Sequence, residues 1–88
     1  MAKKKPRYGD VVLVKWWDSC GPHRKWQTRE YAEEYEAAPC LSLGFFVKKD
    51  RKVLVIASDV APEELGNVFA IPAGCIKSIR VLSRAKAK

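Results

Sequence analysis

The chain predicts a mainly β fold: a small, strongly bent antiparallel barrel of about five strands, with one short helix in the loop after the first strand. Three stretches carry that expectation. Gly66 to Leu82 is a hydrophobic run that ends at Ile71-Pro72, turns through Ala73-Gly74 and restarts as Ile76, Ile79, Val81 and Leu82. Proline removes a backbone donor and glycine permits a sharp reversal, so two terminal strands meet across a short turn. Leu41 to Val60 holds two apolar runs separated by the charged turn Lys48-Lys49-Asp50-Arg51-Lys52, the pattern of a hairpin. Tyr8 to Trp17 is rich in β-branched and aromatic residues and stops at Asp18-Ser19-Cys20-Gly21-Pro22, a cluster of turn formers.

Alternation splits the first strand into a Val12-Val14-Trp16 face and a Val11-Leu13-Lys15-Trp17 face. Lys15 assigns the second face to solvent, which puts Trp16 in the core and leaves Trp17 more exposed. After it, Thr28 caps a helix with Glu30 in its first turn, and Pro39 stops it. Tyr31 and Tyr35 share one helical face and are expected to dock on the barrel. Glu30, Glu33, Glu34 and Glu36 make this the acidic patch of the body.

In the hairpin, Leu43, Phe45 and Val47 form one face, and Ser42, Gly44 and Phe46 the other. Gly44 inside a strand argues for a bulge or a strong bend. Lys52 shares parity with Leu54 and Ile56, so parity leaves the buried side of that strand open. Asp59 to Gly66 reads as a loop, with Pro62 opening one helical turn that Gly66 closes. The three-residue spacing of Ile76, Ile79 and Leu82 fits a 3₁₀ turn or bulge that feeds a final strand.

Size and charge narrow the class. With 88 residues and 48% apolar content, the chain is one domain with a small core. No apolar stretch approaches the ~20 residues that cross a bilayer, and no apolar signal segment follows the basic start. A soluble, cytoplasmic protein with no membrane partner is expected. The net charge of +7 is confined to the ends: Lys3, Lys4, Lys5 and Arg7 at one, Arg84, Lys86 and Lys88 at the other, with no acid among them. Residues 1–7 and 83–88 are read as basic flexible tails around a neutral 8–82 domain.

The cysteines number three, too few and too widely spaced for a disulfide framework. Cys20-x2-His23 supplies half of a zinc set with Cys40 and Cys75 as remote partners, but a second close-spaced pair is missing. Whether the four converge is left open by the spacing. The reading is of reduced thiols, no metal and no cofactor.

The V-x-W-x-D-S of Val14 to Ser19, the L-G-F-F-V of Leu43 to Val47 and the I-P-x-x-x-I-x-x-I-x-x-L of Ile71 to Leu82 resemble those of small bacteriophage-type proteins of unknown function with an SH3-like barrel. The ending through a proline, tight turn and closing strand also resembles SH3-like barrels in general. This resemblance implies a fold and carries no catalytic residue. Trp16-Trp17 lies in the first strand, and the A-L-Y-D-Y opening of peptide-binding SH3 domains is missing, so recognition of proline-rich ligands is not implied.

Function is sought in binding, because G-x-S-x-G, H-E-x-x-H and a glycine-rich phosphate loop are all missing. Protein binding or self-association is the first reading: a phage-type accessory module with segregated charges, glutamates on the helix and lysines on the hairpin. Single-stranded nucleic acid is the alternative. Stacking platforms beside cations would be Trp17, Trp26 and Phe46, with Arg24-Lys25 and the tip cations Lys48, Lys49, Arg51 and Lys52.

Overall fold

The computed structural model describes residues 5–18 and 26–86. Five strands form one antiparallel sheet: β1 (Val11–Asp18), β2 (Ala38–Lys49), β3 (Val53–Val60), β4 (Leu65–Pro72) and β5 (Ile76–Ser83). The helix α1 covers Arg29–Glu33, and a 3₁₀ turn, Ala73–Cys75, joins β4 to β5. The strand order is β4-β3-β2-β1-β5. β4 and β5 are its hydrogen-bonded edges, so the sheet is open and the expected barrel is seen only as its five antiparallel strands. No helix among the described residues is long and apolar enough to cross a membrane.

The open sheet nevertheless coils. Trp16 on β1 and Phe69 on β4 have ring centroids 5.7 Å apart. Three strand spacings separate them in the sheet order, roughly 14 Å if the sheet were flat. Two features of β2 produce this curl. Its first part, Ala38 to Phe45, pairs with β1, while pairing with β3 begins at Phe45 and slips register between Phe46 and Lys48. At the crossover stands Gly44, where an added Cβ would lie 2.9 Å from the Ala57 carbonyl oxygen and 3.3 Å from the Ile56 side chain. Only glycine lets the two strands approach that closely.

The concave face holds the core: Val12, Val14, Trp16, Phe46, Leu54, Ile56 and Ile71, with Cys40, Cys75, Ile76, Ile79 and Val81 packed against it. Trp16 donates its Nε1–H to Ser42 Oγ at 2.9 Å, which satisfies the indole at the core's margin. Bulges explain the three-residue period of β5. Ile76 faces Trp16 and Ile79 faces Val14, so three residues on β5 match two on β1. A second slip displaces Leu82, which is exposed.

Several expectations need correction. The first strand begins at Val11, because Gly9 turns at φ 86° and donates to the Phe46 carbonyl at 2.9 Å. The helix is five residues long; Thr28 caps it by accepting the Tyr31 N–H at 3.2 Å. It buries no residue, and so short a helix gains nothing from packing to extend it. Pro39, expected as its stop, lies within β2 opposite Trp17. Tyr31 and Tyr35 stack edge-on against each other at 5.3 Å and stay exposed rather than docking. The Pro62 segment makes no helical turn. It closes a tight β3–β4 hairpin in which Ala61 N–H donates to Glu64 O at 2.8 Å, with Val60 opposite Leu65.

Candidate binding face

Among the described candidates, the hairpin-tip cations and Trp17 lie at opposite ends of β2. Lys48, Lys49, Arg51 and Lys52 are all exposed at the β2–β3 tip. Asp50 builds that turn: one carboxylate oxygen accepts the N–H groups of Lys52 and Val53 at 2.8 and 2.9 Å, and the other holds the Lys48 ammonium at 3.3 Å. These contacts, the Lys52 N–H foremost, lower the Asp50 pKa. Trp17 pairs with Pro39 at the opposite end of β2, about 30 Å of strand away from Lys48. Phe46, named as a possible platform, is buried in the core and offers none. Trp26 is 80% exposed ahead of α1, and Arg24 and Lys25 lie outside the described residues.

Of the possible zinc set, Cys40 and Cys75 are free, half-buried thiols against the core. Cys20 and His23 lie outside the described residues. No group of three His, Cys, Asp or Glu side chains suited to a metal occurs among the described residues.

What the fold does assemble is the convex face of β2, β1 and β5. Because Val12, Val14 and Trp16 point inward, alternation turns Val11, Leu13, Lys15 and Trp17 outward. Register then lays out rows across three strands: Leu43, Leu13 and Arg80 in one, Leu41, Lys15 and Ser78 in the next. Pro39 and Trp17 continue the series, with the Lys77 ammonium 6.0 Å from the Trp17 ring centroid. Residues opposed in this way have Cβ atoms about 5 Å apart, so each row is a contact surface. Leu41 and Leu43 are 67% and 62% exposed. The charges on these rows are Lys15, Lys77 and Arg80, with no acid among them.

The stripe has an open flank. Beyond Phe45, toward its start, β2 has β1 on one side and no paired strand on the other among the described residues. The divergence from β3 leaves a shallow cleft of about 320 Å³ lined by Ser42, Leu43, Ile56, Ser58, Asn67 and Phe69. Pro39 is tolerated here because a strand with an open side does not need every donor. At the other end of the face, Val11 and Phe45 lead into a groove of about 620 Å³ with Tyr8, Val60 and Pro62.

Sequence reasoning missed Leu13, Leu41, Leu43, Lys77 and Arg80. Lys15 marked the right side of β1, but nothing local tied Leu41 and Leu43 to that same side. Compared with family models, with curated proteins and with solved structures, the chain finds no match in any of the three.

Proposed function

We propose that the chain is a non-enzymatic binding module that acts through protein contact on the convex β2-β1-β5 face. One observation carries the reading: Leu41 and Leu43, more than 60% exposed, continue through Leu13 into a stripe bordered by Lys15, Lys77 and Arg80. Contiguous exposed apolar surface with a polar rim is the signature of a docking site. The pairing of β1 with both β2 and β5, and the division of β2 between two halves of the sheet, support an SH3-like barrel as the finer description of the fold. A phage-type accessory protein is the corresponding biological reading.

A photo-reactive benzophenone side chain at position 43 tests the face, with one at Val68, an exposed site on β4, as control. Irradiation of expressing cells should give a protein adduct from position 43 and none from 68. No protein adduct from 43 defeats the reading. Single-stranded nucleic acid is the second reading, supported by the Lys77–Trp17 contact beside Lys15 and Arg80. It requires a nucleotide adduct at position 43 instead.

A further inference from the structure

The same chain carries a segment chemically complementary to this face. From Thr28 to Ala37 every residue is exposed, and Trp26 before it is too. Trp26, Tyr31 and Tyr35 are 80%, 51% and 37% exposed, and α1 buries no side chain in its own domain. Large aromatics with this much accessible surface over so short a stretch are the anchors that interfaces bury. Between them stand Glu30, Glu33 and Glu34, against the single cation Arg29, which Glu33 already holds at 3.2 Å. Over its described residues, 26–37, the arm is therefore aromatic and acidic, and the convex face is apolar and basic.

The arm does not cover its own face, since Leu41 and Leu43 remain more than 60% exposed with the arm in place. We infer that the occupant of the convex face is the connector arm of a second copy: Trp26 and the Tyr31–Tyr35 pair lie on the Leu13-Leu41-Leu43 stripe, and Glu30, Glu33 and Glu34 face Lys15, Lys77 and Arg80. This inference rests on the convex face being the binding surface and names its partner. Donor and acceptor belong to one chain, so two copies exchange arms reciprocally and close as a two-fold dimer. The apolar stripe supplies the contact, and the opposed charges set orientation and exclude mismatched partners.

Charge exchange tests it. The mass of the purified full chain is measured by analytical ultracentrifugation from about 10 µM to about 1 mM. It should rise from the 10.0 kDa monomer toward twice that value. An arm variant (E30K/E33K/E34K) and a face variant (K15E/K77E/R80E) each set like charges against each other and should weaken association at least about tenfold. Mixed together, they present opposite charges again and should form a heterodimer. All six positions are exposed, and unchanged thermal melts establish that both variants fold.

A wild-type chain that stays monomeric throughout overturns the inference, as do variants that associate like wild type or a mixture that fails to pair. If position 43 still yields an adduct with a different protein while the pure chain is monomeric, the second-copy inference falls and the binding face stands. If neither occurs, both fall.

Discussion

Arg84 closes on Asp10 with its Nη1 2.7 Å from Oδ2, joining residues at opposite ends of the chain. Asp10 has no exposed surface, and its carboxylate also accepts the Arg7 N–H and the Ala85 N–H, each at 2.8 Å. The same Arg84 nitrogen donates to the Lys5 carbonyl at 2.8 Å. Arg7 and Arg84, which composition assigns to flexible tails, are thus fastened to the start of β1. This clasp satisfies a buried charge with one cation and two backbone donors, the arrangement such a group requires.

The clasp makes stability depend on acid. The Ala85 N–H, then the Arg7 N–H and the Arg84 guanidinium, hold the Asp10 pKa below its ordinary 3.8, against the opposing pull of desolvation. A carboxylate with a lowered folded-state pKa stabilises the fold above its ordinary value, and that contribution disappears as pH falls through the folded value. Asp10→Asn should therefore lower the melting temperature at neutral pH. The gap from wild type should narrow as pH falls from the ordinary carboxylate value of 3.8 through the lowered folded-state value. A gap that stays constant down to the acid end would assign Asp10 a purely steric role.

Gly44→Ala should destabilise although it adds only a methyl group. The new Cβ meets the Ala57 carbonyl oxygen at 2.9 Å, and backbone cannot swing away as a side chain can. Overpacking of this kind costs about 1–3 kcal/mol. Urea denaturation should show a lower midpoint with an unchanged slope. Wild-type stability in the variant would mean that the crossing of β2 is looser than the curl requires.

Leucines on the two faces should respond oppositely. Leu54 is fully buried, so Leu54→Ala removes core and should cost about 2–5 kcal/mol. Leu43→Ala should change monomer stability by less than about 0.5 kcal/mol. Chemical denaturation of dilute protein measures both. A large loss at Leu43 would mean that it packs within its own chain and is not free for a partner.

How much of this was legible varies with the range of the forces involved. The assignment of Trp16 inward and Trp17 outward followed from Lys15, because alternation is a local rule and both tryptophans obey it. Gly44 signalled the bend, and the Ile76–Ile79 spacing signalled the bulge. Phe46 could be read as core or as platform because the parity of β2 does not say which of its faces is buried; that is decided by its register with β1, whose residues lie far earlier in the chain. Pro39 stops a helix by local rules, yet here pairing with β1 outweighs a five-residue helix with nothing to pack against. The convex stripe is likewise a product of register. Leu13, Leu43 and Arg80 are distant in sequence and become neighbours only when β1 lies between β2 and β5.

The hairpin tip should prove independent of the convex face. Lys48, Lys49, Arg51 and Lys52 lie at one end of β2 and Trp17 at the other, about 30 Å of strand apart, so one ligand of modest size cannot span both. Replacing the four cations by alanine while keeping Asp50 preserves the carboxylate that accepts the Lys52 and Val53 backbone N–H groups. The fourfold variant should therefore melt near wild type and keep whatever association the convex face supports. Its effect should be confined to single-stranded oligonucleotides. If each of the four cations meets a phosphate, their loss reduces the slope of log K against log salt by about 3. Sedimentation of the variant, with oligonucleotide titrations across a salt series, measures both quantities. Loss of self-association with the tip intact in fold would move the interface to the hairpin. An unchanged salt slope would show that the tip contributes nothing to phosphate binding, leaving its charges to guard the strand ends against edge pairing.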